Sequence, residues 1–211
     1  MNHLVLLGDS IFDNGVYVPG EPDVIHQVRA KLPEGWQASL RAVDGDRVGD
    51  ITTQLTSLPS DATHIALSVG GNDALDQAGI LQEPARSFAE VLERLAQVGD
   101  PFRNAYHAML QQVLERGLPT MVCTIYEGNM PDPRQQRLVT TALKIFNDAI
   151  LREAFAAGVP VLDLRAVCSR PEDYANPIEP SFIGGNKIAT GIARIITTHD
   201  FSGGCRQIYT K

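Results

Sequence analysis

His3-Leu4-Val5-Leu6-Leu7-Gly8-Asp9-Ser10 opens the chain with a short apolar run, closes it with glycine and follows it at once with an acid and a hydroxyl. A Leu/Val run ended by Gly reads as a strand buried on both faces, as in parallel sheets. Ligands of open α/β sheets collect outside the carboxyl ends of such strands, so Ser10 is the candidate nucleophile. Taken alone, Gly8-Asp9-Ser10 is also ordinary turn chemistry. A second strand-like run, Thr63-His64-Ile65-Ala66-Leu67-Ser68-Val69, leads into Gly70-Gly71-Asn72-Asp73. Gly70 and Gly71 would let backbone come close to a ligand, and the Asn72 amide is a donor of the kind that stabilises an oxyanion. The plainer reading is a tight turn in which Asn72 or Asp73 caps a helix.

Outward from these two runs the chain alternates strand and helix patterns. Strands are expected at Leu4–Leu7, Ala38–Val43, His64–Val69, Thr120–Ile125 and Val161–Leu164. Apolar residues spaced by three and four mark helices through Val24, Val28 and Leu32 behind the cap-like Asp23, through Phe88 to Leu95, through Tyr106 to Leu114, through Leu138 to Ile150, and through Ile188 to Ile196. Gly35, Gly99, Gly117 and Gly158 read as helix stops. The pattern is that of an α/β protein, a parallel sheet with helices on both faces. No linker or repeat divides it, so residues 1–200 are expected to form a single domain, with 201–211, including Ser202-Gly203-Gly204, a loosely attached tail.

At 211 residues and 44% hydrophobic content the chain suffices for one large core. A formal charge of −7 without a basic tract argues against nucleic acid as a partner. No apolar run approaches a membrane span, and Leu4 to Leu7 is a strand rather than a leader, which points to a cytoplasmic protein. Cys123, Cys168 and Cys205 are odd in number and lack metal spacing, so neither a metal site nor a disulfide framework is expected, and Cys123 reads as a small core residue. No cofactor motif follows any strand: Gly-x-Gly-x-x-Gly and Gly-x-x-x-x-Gly-Lys-Ser/Thr are both missing.

Leu7-Gly8-Asp9-Ser10-Ile11-Phe12-Asp13-Asn14-Gly15 and Gly70-Gly71-Asn72-Asp73 resemble the first and third blocks of the SGNH/GDSL hydrolase family, and the blocks follow in family order to the last helix. The resemblance implies a three-layer α/β/α flavodoxin-like fold with a five-stranded parallel sheet ordered 2-1-3-4-5. It also implies ester hydrolysis through an acyl-enzyme on Ser10, with a small-molecule ester as substrate. In that carry-over the Ser10 amide and the Asn72 side chain belong to the oxyanion hole. A glycine amide from Ala42-Val43-Asp44-Gly45-Asp46-Arg47-Val48-Gly49 completes it, Gly45 fitting best by the spacing to Gln54-Leu55 and Gly49 being the fallback. Asp9, Asp13, Gly71 and Asn176 are the supporting residues.

The last block departs from the family. Where Asp-x-x-His-Pro is usual, the chain reads Asn176-Pro177-Ile178-Glu179-Pro180, and Pro180, Gly184 and Ile188-Ala189 hold the register. Glu179 therefore stands in the place of the usual general base, and Asn176 in that of its acidic orienter. A carboxylate is a weaker base than imidazole by roughly two pKa units, and burial among Pro177, Ile178, Pro180 and Phe182 would narrow that gap. A Ser-Glu dyad needs no orienting acid, because a carboxylate has no tautomer to fix. The five histidines, His3, His26, His64, His107 and His199, fit strand, helix or tail positions instead. The alternative is a module that binds an acyl or acetylated ligand without turning it over.

Two loops could wall the site, Ile11 to Gly20 and Tyr126 to Pro131. Glu127 is a rival base by position alone, Asp163 a possible helper, and Asp173 a turn or helix cap. An aromatic content of only 6% and no evident apolar lid lean towards short acyl groups.

Overall fold

The computed structural model describes residues 1–203 and 207–210. Cys205 and Gly204 lie outside them. The elements run β1 (Asn2–Gly8), α1 (Val24–Lys31), β2 (Trp36–Leu40), α2 (Ile51–Thr56), β3 (His64–Ser68), α3 (Gly71–Asp76), α4 (Phe88–Leu114), β4 (Thr120–Cys123), α5 (Pro133–Ala157), β5 (Val161–Leu162), α6 (Leu164–Val167), α7 (Phe182–Thr198) and β6 (Ile208–Tyr209). The strands form one sheet in the order β2-β1-β3-β4-β5-β6, every neighbouring pair parallel.

Side chains alternate across a strand, so a strand covered on both faces feeds two cores. In β1, Leu4 and Leu6 pack with α1, α6 and α7, whereas Val5 and Leu7 pack with α2, α4 and α5. All four side chains are fully buried, which is why the run carries no polar alternation. Cys123 is a buried, free thiol within β4, as its apolar surroundings suggest. No helix among the described residues is long and apolar enough to cross a membrane.

The strands expected to reach Ile125 and Leu164 end at Cys123 and Leu162, and the structure differs from expectation in three further places. The sheet has six strands rather than five, because Ile208 and Tyr209 in the tail pair with Val161 and Leu162. Such a two-residue strand is too short to leave a pattern of its own. Ala38–Val43 pairs regularly only over Trp36–Leu40. Beyond it the N–H groups of Arg41 and Ala42 both donate to the Leu6 carbonyl, so the chain follows β1 but leaves the ladder.

Gly99 stops nothing. It lies inside the continuous 27-residue α4, which absorbs both expected helices and also contains Pro101. A Cβ at Gly99 would run into the Ile145 Cγ2 methyl, so the glycine allows α4 and α5 to pack closely. Gly158, by contrast, is a true left-handed cap, at φ +71°.

Candidate active site

Ser10 follows directly on β1, and the turn that presents it depends on Gly8. The Gly8 φ of +140° is open to glycine but strained for other residues, and a Cβ there would collide with the Ser68 carbonyl of β3. Gln54 on α2 clamps the same residue: its Oε1 accepts from the Gly8 N–H at 2.8 Å and its Nε2 donates to the Gly8 carbonyl at 2.7 Å. Nε2 also donates to Asp46 Oδ2 at 2.8 Å, tying the end of β1 to the neighbouring loop. The sequence offers Gln54 only as a spacing marker; its one signal is an amide between Ile51 and Leu55 on the buried face of a short helix.

Ser10 and Glu179 meet although 169 positions separate them in the chain. Ser10 Oγ donates to Glu179 Oε1 at 3.1 Å, and both residues are buried. The backbone carrying Glu179 is shaped by Asn176, whose Oδ1 accepts the N–H groups of Ile178 and Glu179, each at 2.9 Å, in an Asx turn. From the loop after β4, Tyr126 Oη donates to the Ile178 carbonyl at 2.6 Å and the Asn129 N–H to that of Pro177 at 2.8 Å. From the other side, Asn14 donates to the Pro180 carbonyl at 3.3 Å and accepts from the Val24 N–H at 2.9 Å. The two loops suggested as walls thus hold the segment that delivers Glu179.

Electrostatics keep this carboxyl from being an ordinary one. Burial pushes Glu179 up, the Ser10 hydrogen bond pulls it down, and the charge of Asp44 adds to the rise, leaving it at about 7. Among the described residues its buried Oε2 has no hydrogen-bond partner. Behind it, burial pushes Asp9 up to about 8 against the Ile11 N–H that it accepts, with the charges of Glu179 and Asp73 adding to the rise. At neutral pH Asp9 is therefore mostly uncharged.

Asn72 lies at the start of α3, where its Nδ2 donates to the Asp46 carbonyl at 2.9 Å. That uses one of two amide hydrogens. Gly45 sits in the same loop, exposed, at φ +88°. Asp13 holds this loop by accepting the Asp44 N–H at 3.0 Å. Neither the Ser10 nor the Gly45 N–H has an acceptor among the described residues. Gly49 lies instead in the 3-10 turn Val48–Asp50. Of the paired glycines, Gly70 is the restrictive one: it has φ +120°, and a Cβ would come within 3.0 Å of the Phe102 ring, whereas one at Gly71 would make only an ordinary contact with Asp9.

Ser10, Asn72 and Glu179 share the wall of a cavity of about 700 Å³ that runs between α3, α4 and α5. A volume of this size is in the range of small-molecule sites. Tyr126, Glu127, Gly128 and Met130 of the loop after β4 also line it.

Residues 6–180 match the model of the GDSL-like lipase/acylhydrolase family. The chain belongs to this family. That places it among hydrolases acting on esters. Solved structures share its fold at low identity. The lipase Lip_vut3 from a goat rumen metagenome is 20% identical, with a TM-score of 0.70 over 94% of this chain and 98% of that one. An extracellular lipase from Streptomyces rimosus is 18% identical, with a TM-score of 0.68 over 95% and 100%. Est24, a carbohydrate acetylesterase from Sinorhizobium meliloti, is 13% identical, with a TM-score of 0.66 over 93% and 99%. No curated protein sequence matches the chain.

In this GDSL-like hydrolase no histidine among the described residues lines the cavity. His3 lies near the opposite end of β1, between Asp61 Oδ1 at 2.9 Å and Ser39 Oγ at 2.8 Å. Seven residues of strand rise separate it from Ser10, roughly 23 Å if extended. His26 contacts its helix cap Asp23, His107 contacts Glu153, His64 packs on Trp36, and His199 contacts Tyr209 and Phe201. Glu127 lines the cavity, but Thr140 at 3.5 Å is its side-chain partner. Asp163 caps α6 and pairs with Arg165, and Asp173 is buried against Lys187. Both therefore serve the scaffold.

Proposed function

We propose that this chain is a serine esterase or deacylase in which Glu179 acts as the general base for Ser10. The observation that carries the proposal is the buried 3.1 Å hydrogen bond from Ser10 Oγ to Glu179 Oε1 in the wall of the cavity. A base must reach the proton it takes, and its pKa should lie near working pH. At about 7, Glu179 is a far better base than a solvated glutamate.

In the proposed cycle Ser10 Oγ attacks the ester carbonyl carbon as its proton passes to Glu179. The carbonyl oxygen gains the charge and is met by the N–H groups of Ser10 and Gly45 and by the second amide hydrogen of Asn72. Removing one such donor typically costs roughly 10²–10³ in rate. Collapse of the tetrahedral intermediate expels the alkoxide, which takes the proton back from Glu179 and leaves as the alcohol. Water then gives its proton to Glu179 and attacks the acyl-enzyme, releasing the carboxylic acid and restoring Ser10. Asp9, uncharged behind Ser10, adds no second negative charge to repel the oxyanion.

The test is hydrolysis of p-nitrophenyl esters by the parent, Ser10→Ala, Glu179→Gln and Glu179→His. The proposal expects turnover in the parent, none in Ser10→Ala and a loss of roughly 10²–10⁴ in Glu179→Gln. Turnover that survives in Glu179→Gln moves the base elsewhere. A silent parent with an active Glu179→His variant would make this a binding module on a lapsed hydrolase fold.

A further inference from the structure

The two longest helices extend well past the core, and the space between them is mostly apolar, with Arg134 and Gln135 of α5 among its polar lining. In α4 the first buried residue is Gly99, so Phe88 to Val98 precede the buried part of the helix, with Val98 packed on the edge of the core; in α5 the first is Phe146, so Pro133 to Ile145 precede it likewise. At 1.5 Å per residue each overhang is roughly 16–20 Å long. Both carry aliphatic side chains along the cavity, Leu95 and Val98 from α4 and Leu138, Ala142 and Leu143 from α5, with Ile80 closing the side next to α3. None of the six is buried, and Leu138 is 41% exposed. Aliphatic side chains that line a cavity and stay partly exposed along it mark a surface suited to an apolar ligand.

This cleft is continuous with Ser10 and Glu179, which line the same cavity. Resting on the esterase reading above, we infer that the cleft between α4 and α5 holds the acyl chain of the substrate, and that this chain is a medium-to-long hydrocarbon. An acetyl group would reach the Ser10 end and leave the aliphatic walls wet. This reverses the lean towards short acyl groups. Low aromatic content misleads there, because the apolar part of the walls is mainly Leu, Ile, Val and Ala, and the cover is the helix overhang rather than a separate lid.

Burying one methylene is worth at most about fourfold in affinity. The experiment compares kcat/KM for p-nitrophenyl acetate, octanoate and dodecanoate, each below its aggregation limit, in the parent, Ala142→Phe and Leu138→Gln. Ala142→Phe fills the cleft; Leu138→Gln changes an exposed position and leaves the core untouched. In the parent, octanoate and dodecanoate should exceed acetate by at least tenfold, and both substitutions should lower the dodecanoate-to-acetate ratio, Ala142→Phe by tenfold or more. Acetate preferred by the parent, or a ratio unmoved by either substitution, overturns the acyl cleft and leaves the esterase standing. If no ester is turned over, the esterase reading fails, and calorimetric titration with decanoate decides the cleft separately. Binding weakened in Ala142→Phe supports it, and no binding to the parent overturns it.

Discussion

Glu179 carries a cost as well as its proposed role. An ionised carboxylate with one oxygen on a serine and the other buried without a donor is under-solvated, which raises its pKa and would make it basic enough to act. Activity should therefore follow the deprotonated form, with kcat/KM rising tenfold per pH unit on the acid side and levelling above about 7. Asn176 tests the geometry separately. Asn176→Ala removes the acceptor for two N–H groups, and should cost about 1 kcal/mol of stability and lower kcat more than it raises KM. Asn176→Asp keeps the acceptor but adds a negative charge close by, so turnover should return with its pH midpoint moved upwards. Steady-state kinetics against pH reads the changes in turnover, and urea unfolding reads the loss of stability. Ser10, Asn72 and Glu179 were legible in the sequence because each sits in a short block with its own spacing. Gln54, Asn14 and the neutral state of Asp9 were not, because each depends on a partner or a burial that arises only once distant segments meet.

At the scale of elements, the contact between α4 and α5 is the sharpest test of packing. Gly99→Ala gains up to about 1 kcal/mol of helix preference but drives a methyl into Ile145 Cγ2. Overpacking typically costs about 1–3 kcal/mol, so the variant should be less stable than the parent in urea unfolding. Ile145→Leu moves the branch away from Cβ, and in the double variant the two changes should cost less than their sum. The sequence misplaced a helix end here for a physical reason. Glycine after an apolar residue means a stop when the chain must turn left-handed, as at Gly158, and means close approach when a neighbouring helix occupies the space of its side chain, as at Gly99. Local pattern cannot separate the two. The same holds for β6, two residues whose strand character comes from β5 alone. The buried strands were read well, since continuous apolar runs are required wherever helices cover both faces.

Across the whole molecule, Asp9 and Glu179 make stability depend on pH. Both have folded pKa values raised above the unfolded ones, to about 8 and about 7. The folded state thus holds their protons more tightly. The stability this contributes is complete below about pH 4 and is lost as pH rises through 7 and 8. Asp9→Asn and Glu179→Gln should flatten this decline and raise Tm at pH 8.5 relative to the parent, in melts followed by circular dichroism. If both leave the profile unchanged, neither carboxyl is buried as described. Glu179→Gln gaining stability while losing activity would be the exchange expected of a functional site built on an under-solvated charge. Activation of Ser10 by Glu179 is best probed by the rate at which a fluorophosphonate labels Ser10, followed by intact-protein mass spectrometry across pH. One adduct on Ser10 is expected, formed at a rate that rises to a plateau with a midpoint near 7 and falls by at least a hundredfold in Glu179→Gln. Labelling that is equally fast in Glu179→Gln would contradict it.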